Sequence, residues 1–192
     1  MDTAYIQDRT FERREFTEFE LQAMGNHFED CHFLNCNLQK SSLSSLRFFD
    51  CAFEHCDLSL MKLEQTAFQE VRFKDCKMLG LQFEHCNNFG LSMRFEGCQL
   101  DHCSFYNLKL NNVQISHCSL KEADFTNADM RGFNFADCNL LGSKFERTNL
   151  EKANFSTAIN YKIDPELNKI TQAKFSQDGL HGLLAKYRIQ VL

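Results

Sequence analysis

The sequence has no tryptophan and only one proline, Pro165. Proline cannot donate a backbone hydrogen bond, so its near absence fits a chain whose backbone donors are paired along most of its length. No apolar run approaches the ~20 residues that a membrane-spanning helix needs. Residues 1–4 also lack the basic and then apolar pattern of a signal peptide. We therefore expect a cytoplasmic protein that does not engage a membrane.

A large excess of charge is missing as well, because the formal net charge is only −5 over 192 residues. Proteins that bind nucleic-acid phosphates usually carry a basic surface, so direct binding to DNA or RNA is not expected. The sequence also contains no Gly-rich phosphate loop, nucleophile elbow or HExxH motif. We therefore expect a protein without catalytic activity.

What the sequence does contain is a period of five residues. From residue 95 to residue 155 every fifth residue is large and apolar: Phe95, Leu100, Phe105, Leu110, Ile115, Leu120, Phe125, Met130, Phe135, Leu140, Phe145, Leu150 and Phe155. A helix repeats every 3.6 residues and a strand every two, so neither explains this spacing. A fixed internal period of this kind indicates a solenoid.

The same period runs upstream, in a register that is offset by two residues. Its centres are Phe28, Phe33, Leu38, Leu43, Phe48, Phe53, Leu58, Leu63, Phe68, Phe73, Met78 and Phe83. Units such as Glu122-Ala123-Asp124-Phe125-Thr126 resemble the pentapeptide-repeat motif, in which a small and a polar residue precede a central Leu or Phe. The resemblance covers roughly residues 26–157. It implies an all-β fold, a right-handed quadrilateral β-helix.

Four units per coil can be tested within the sequence, because a position should then return to the same side every 20 residues. With two residues added across the offset, one column holds only cysteines: Cys36, Cys56, Cys76, Cys98, Cys118 and Cys138. A neighbouring column holds mainly phenylalanines: Phe33, Phe53, Phe73, Phe95, Ile115, Phe135 and Phe155. We expect both columns to form the structural core of a four-sided prism about six coils long.

Nine of the ten cysteines lie two residues before a repeat centre, and Cys86 does so too if the first register is extended to Asn88, so all ten should point inward as small apolar side chains. Parallel stacked cysteines suit the dihedral angle of a disulfide poorly, and a cytosolic protein keeps its thiols reduced. Four histidines precede a cysteine directly and should point outward, so that zinc ligands cannot converge. We therefore expect free thiols, no metal and no cofactor.

The chain is expected to have three parts. Residues 1–25 form an N-terminal cap with a first partial coil, because Phe11, Phe16 and Leu21 keep the five-residue spacing. Residues 26–157 form the β-helix, and residues 158–192 form a C-terminal capping and dimerisation segment. Within that segment we expect a helix start or turn at residues 164–166, a helix at 179–186 and a strand at 189–192.

Two surface features are candidates for contact with a partner. Asp30, Asp50 and Glu70 share a column one coil apart, with Glu29 beside them. This ladder is either a solvated face diluted by nearby cations, Arg47 and Lys62, or a partial imitation of the phosphates of DNA. The second feature is the insertion at residues 87–92, which we interpret as a bulge with Phe89 turned into the core. The alternative is a small protruding loop in which Asn88 and Phe89 contact a partner.

The tail carries a second resemblance. Residues 163–170 and 182–191 are similar to the C-terminal segment of microcin-immunity pentapeptide proteins and, more loosely, to the ending of the Qnr quinolone-resistance group. The resemblance implies a homodimer and a role in protecting DNA gyrase or topoisomerase IV from poisons. The residues it places at the dimer interface are Leu183, Leu184, Tyr187, Ile189 and Val191. The alternative function is a protein-interaction scaffold whose partner is not a topoisomerase.

Overall fold

The computed structural model describes residues 4–189, which wind into a right-handed quadrilateral β-helix of about nine coils. Successive coils pair in parallel, and the predicted fold class is confirmed. Each side of a coil contributes only a short strand or a single bridging residue to the coil above it. The five-residue unit is therefore one side of the prism, and its central residue points inward.

Short strands make up two of the four sides. Along the described chain they are β1 (Tyr5–Gln7), β2 (Thr10–Glu12), β3 (His27–Glu29), β4 (His32–Leu34), β5 (Arg47–Phe49), β6 (Ala52–Glu54), β7 (Ala67–Gln69), β8 (Val71–Lys74), β9 (Met93–Glu96), β10 (Val113–Ser116), β11 (Phe135–Ala136), β12 (Asn154–Phe155) and β13 (Lys174–Phe175). The helical pieces are α1 (Glu20–Met24), α2 (His181–Leu184) and two 3-10 turns, Phe83–His85 and Ala185–Tyr187. Within residues 4–189 no helix is long and apolar enough to cross a membrane.

Two sheets meet along one edge of the prism. The first has the order β1-β3-β5-β7, and the second has the order β11-β10-β9-β8-β6-β4-β2. In the second sheet Phe53 pairs with Phe73, 20 residues later, and Phe73 pairs with Phe95, 22 residues later. The offset between the two repeat registers is therefore an insertion of two residues within one coil.

The core consists of columns of stacked side chains. The phenylalanine rings of one column are buried and lie face to face, with 4.5 Å between the ring centroids of Phe33 and Phe53 and 5.1 Å between those of Phe73 and Phe95. The six cysteines of the neighbouring column are buried too. Burial of each large side chain contributes roughly 1.5–3 kcal/mol before conformational entropy is counted.

The prism is longer than the six coils expected from the repeats, because both ends add to it. At the N-terminus β1 and β2 pair with β3 and β4 at a spacing of 22 residues, and α1 takes the place of one side and buries Leu21. At the C-terminus β13 pairs with β12, and residues 165–167 form a turn. Of the strand expected at 189–192, only residue 189 lies in the described part, and it is in no strand.

The prediction that Phe89 fills the core was wrong, because its side chain is 84% exposed. The backbone N–H of Phe89 donates to Asn87 Oδ1 at 2.9 Å, and Gly90 then turns the chain with a φ of +68°. Leu91 instead reaches the interior and is buried. The insertion is therefore a small outward loop formed by residues 88–90.

Candidate interaction surface

A line of carboxylates runs along the edge between the two sheets. Asp30 lies between β3 and β4, Asp50 between β5 and β6, and Glu70 between β7 and β8, at the same corner of three consecutive coils. Their φ angles are 50°, 48° and 54°, the left-handed conformation that lets the chain turn each corner. The structure therefore brings the three predicted residues together at strand spacing, about 4.8 Å.

A fourth carboxylate, Asp8, extends this line by one coil and was missed from the sequence. Asp8 lies between β1 and β2, has a φ of 51°, and its N–H donates to Glu29 O at 3.2 Å. A count of 20 residues does not reach it, because the first coil is spaced at 22 residues. The signal that could have found it is local, since Asp8 precedes Phe11 by three residues as Asp30 precedes Phe33. We call Asp8, Asp30, Asp50 and Glu70 the acidic corner.

Neighbouring side chains moderate the charge of the acidic corner. Arg72 Nη2 lies 3.2 Å from Asp50 Oδ1, and Ser92 Oγ donates to Glu70 Oε1 at 3.0 Å. Lys62, which the sequence suggested as a diluting cation, instead pairs with Glu18 at 2.6 Å. Among residues 4–189, Arg72 is the cation that forms an ion pair with this edge.

Glu29, beside the acidic corner, is engaged within the protein. It accepts a hydrogen bond from the hydroxyl of Tyr5, and this bond raises the pKa of Tyr5 to about 12. His27 Nε2 also lies 3.7 Å from Glu29 Oε2. Glu29 is also half-buried, whereas Asp8, Asp30 and Glu70 are exposed, so Glu29 is less available to a partner than these three.

The outward loop of residues 88–90 ends at the acidic corner. Asn88 and Phe89 are both exposed, and Gln69 Nε2 donates to Phe89 O at 3.3 Å. Ser92, which follows the loop, is the residue that bonds Glu70. The structure therefore joins the two candidate surface features into one region.

A shallow groove of about 470 Å³ lies on the adjoining face of the seven-stranded sheet. Arg72 and Arg94 are in register along this face, and both line the groove. Asp50, Glu54 and other acidic side chains line it as well, so its charge is mixed. This face offers hydrogen-bonding and charged groups to a partner but no strong field of either sign.

The cysteines lie inside the prism and several histidines lie outside it, because neighbouring residues of a repeat unit point in opposite directions. All ten cysteines are free and buried, and burial raises the pKa of Cys86 and Cys103 to about 12 and that of Cys138 to about 11. Several histidines lie outside and pair with carboxylates, such as His117 Nδ1 with Asp137 Oδ2 at 3.3 Å. Within the described part of the chain, no group of three or more such side chains could hold a metal ion.

The residues predicted to form the dimer interface differ in how exposed they are in the C-terminal segment. Leu184, Tyr187 and Ile189 are exposed, whereas Leu183 packs partly against the core. Tyr187 also donates from its hydroxyl to Glu166 Oε1 at 2.9 Å. Val191 lies outside the described residues.

Comparisons with known proteins agree with the coil geometry. The family model described as the pentapeptide repeat region matches residues 26–89 and 81–155. The plasmid-mediated fluoroquinolone resistance protein QnrB1 superposes with a TM-score of 0.52 at 13% identity, covering 96% of this chain and 100% of that one. A comparison with curated protein sequences gave no match.

A second solved structure is equally similar. HetL, a pentapeptide repeat protein involved in heterocyst differentiation regulation in the cyanobacterium Nostoc sp. strain PCC 7120, has a TM-score of 0.52 and 15% identity. The match covers 91% of this chain and 88% of HetL. At such identities both likenesses show the fold alone.

Proposed function

Because this chain belongs to the pentapeptide-repeat family, we propose that it is a non-catalytic protein-binding rod of the cytoplasm. Its proposed partner is DNA gyrase or topoisomerase IV, which it would protect from a poison of the quinolone or microcin type. The acidic corner is the observation that carries this proposal. The proposed form is a homodimer, joined through the exposed residues of the C-terminal segment.

The geometry of the acidic corner supports docking against a basic protein groove. Four carboxylates lie at the same corner of four consecutive coils, one per coil. A topoisomerase groove that holds DNA is lined by cations, so such a line attracts it. Duplex DNA carries one charge per ~1.7 Å, whereas this edge carries one per ~4.8 Å, so the imitation of DNA is partial.

The likeness to QnrB1 adds a shared fold to this argument. QnrB1 is a fluoroquinolone resistance protein, and the two chains align over almost their full lengths. A shared fold does not by itself imply a shared function, so the proposal depends on the residues of the acidic corner. These residues are also the ones that an experiment can change without disturbing the core.

A scaffold for a different protein is the second candidate function. HetL, a pentapeptide repeat protein involved in heterocyst differentiation regulation, is as similar in fold as QnrB1 is. The mixed charge of the groove beside Arg72 and Arg94 also suits a partner that is not a DNA-binding enzyme. A scaffold of this kind would show no affinity for gyrase or topoisomerase IV.

The test is the affinity of purified gyrase for this protein, measured between about 50 mM and about 200 mM salt. Electrostatic docking predicts binding that weakens as salt rises, and weakens further in the double variant Asp50→Lys with Glu70→Lys. The control is Glu122→Lys with Asp137→Lys, which makes the same charge change at corners with the same left-handed backbone. If Asp50→Lys with Glu70→Lys left the affinity unchanged, or if the wild type did not bind gyrase at all, the proposal would be contradicted.

A further inference from the structure

Two exposed phenylalanines lie on one side of the prism with Gln69 between them. Phe49 is 41% exposed and Phe89 is 84% exposed. Phe49 pairs in register with Gln69 on the next strand, and Gln69 Nε2 donates to Phe89 O at 3.3 Å. The backbone at Phe89 is therefore two coils from that at Phe49, roughly 10 Å at strand spacing.

The loop that carries Phe89 is braced at both ends. Asn87 Oδ1 accepts the N–H of Phe89 at 2.9 Å, and the amide of Gln69 holds its carbonyl. Gly90 has a φ of +68°, and a Cβ there would lie 2.5 Å from Gln69 Nε2, so that a larger residue would collide with this brace. Leu91 anchors the loop in the core. A braced loop loses little conformational entropy when its side chain is bound.

The charges next to this pair indicate the kind of surface that it fits. Phe49 is followed by Asp50, and Gln69 is followed by Glu70, so carboxylates line the same side of the aromatic pair. Exposed aromatic side chains contribute nothing to the core of the rod, whereas they are prominent among the residues that dominate protein interfaces. A partner pocket that is apolar inside and bordered by basic side chains could pack against the rings and pair with the carboxylates.

We propose that Phe89, supported by Phe49, is the apolar anchor of the docking surface and enters a pocket of the partner protein that is bordered by Lys or Arg side chains. This inference rests on the proposed function, because it takes the topoisomerase as the partner. It adds a short-range apolar contact to the long-range attraction of the acidic corner. The apolar contact of Phe89 should slow dissociation of the complex. The charges of the acidic corner should speed association and orient the two proteins.

The test is the Kd of the gyrase holoenzyme for the full chain and for three variants. Phe89→Ala should weaken binding by about 10- to 100-fold, as loss of a central aromatic anchor does, and Phe49→Ala should weaken it less because that ring is more covered. Phe89→Trp should retain binding. The control is Tyr106→Ala, which removes a ring that is 45% exposed on another side of the prism and should leave the Kd unchanged.

Salt separates the anchor from the acidic corner. The loss caused by Phe89→Ala should be the same at low and high salt, since an apolar contact is not screened, whereas the loss caused by Asp50→Lys with Glu70→Lys should shrink as salt rises. An unaltered melting temperature of Phe89→Ala will show that the variant is folded.

A second measurement reports the environment of the loop directly. All ten native cysteines are buried, so Asn88→Cys would add a thiol that can be labelled selectively with a polarity-sensitive fluorophore. Gyrase binding should shift its emission to the blue, because the loop enters an apolar pocket. Wild-type binding that is unaffected by Phe89→Ala, with no emission shift, would overturn the anchor and leave the proposed function standing. Failure of the wild type to bind gyrase would overturn both.

Discussion

Arg72 Nη2 lies 3.2 Å from Asp50 Oδ1, and this ion pair joins two consecutive coils in the middle of the acidic corner. Both side chains are largely exposed, so the pair contributes little to the stability of the fold. Its main effect is on the surface, because the guanidinium offsets the charge of a carboxylate that a basic partner would otherwise meet. Arg72 thus lowers the negative charge that this edge presents at its surface.

Removal of Arg72 should therefore strengthen docking on gyrase. Arg72→Ala leaves Asp50 without its cation, and we expect an affinity gain of about two- to fivefold at low salt, equivalent to a surface ion pair of less than about 1 kcal/mol. The measurement is the Kd by titration calorimetry. Lys74→Ala, on the same strand, is the control, because no carboxylate among the described residues pairs with Lys74. A weaker complex for Arg72→Ala would show that Arg72 itself contacts the partner.

The stacked aromatic column should be sensitive to truncation. Phe95 is fully buried, and its ring lies 5.1 Å from that of Phe73, so Phe95→Ala leaves an unfilled layer. We expect a loss of about 3–5 kcal/mol in the free energy of unfolding and a fall in melting temperature on the order of 10 °C. Thermal denaturation followed by circular dichroism checks this. An unchanged melting temperature would contradict the packing of the column, and the exposed Tyr106→Ala serves as the neutral control.

Acid should loosen the C-terminal helical segment. Lys186 Nζ lies 2.7 Å from Asp164 Oδ1 and 2.6 Å from Glu166 Oε2, and its hydrogen bonds lower the pKa of both carboxyl groups below their ordinary values of 3.8 and 4.5. A carboxyl whose pKa is lowered on folding stabilises the fold above its ordinary pKa and stops doing so as pH falls through the lowered value. The stabilisation should therefore be fully present above about pH 5 and be lost only as the pH falls through the lowered pKa values, which for Asp164 lie below 3.8.

Hydrogen exchange of the amides in α2 and the following turn measures this effect. After correction for intrinsic rates, their protection should fall several-fold on acidification through that window. In Lys186→Met the amides should have the low protection of the acidified wild type at both high and low pH. Lys174→Met should behave like the wild type. Protection that does not depend on pH would mean that the cluster does not hold the segment.

The proposed dimer can be tested apart from partner binding. Leu184 and Ile189 are 37% and 57% exposed at the C-terminal end, so carboxylates placed there would be buried in a tail-to-tail interface at a high cost. Leu184→Asp with Ile189→Asp should convert a dimer to a monomer by light scattering. Leu60→Asp with Leu141→Asp changes two residues elsewhere that are 52% and 51% exposed, and should leave the dimer intact. A dimer that persists in the first variant would refute an interface at this end.

The core of this protein could be predicted well from the sequence because every coil of the prism requires inward-pointing residues at the same positions. Each side of each coil needs one inward residue, so Phe73 and Phe95 can be placed on one column from spacing alone. The same reasoning placed Asp30, Asp50 and Glu70 on one corner, since a corner follows each side at a fixed distance. Asp8 escaped because the first coil contains α1 and is longer by two residues.

Where the repeat breaks, local hydrogen bonds decide the path of the chain. Hydrophobicity alone favours Phe89 in the core, but the bond from its N–H to Asn87 and the left-handed turn at Gly90 bring Leu91 there instead. Outward residues are not fixed by the coil, so the period of five carries no information about partners. The prediction of a partner therefore depends on surface chemistry that only the folded rod displays.

The most direct test of the central claim is gyrase supercoiling with this protein titrated in, with and without a fluoroquinolone or a gyrase-poisoning peptide. The account predicts that the protein restores supercoiling in the presence of the poison, and that Asp50→Lys with Glu70→Lys restores it less. Inhibition of supercoiling without any restoration would indicate a competitor of DNA and not a protector. No effect on gyrase, and none on topoisomerase IV, would contradict the proposed function and favour a scaffold for another protein.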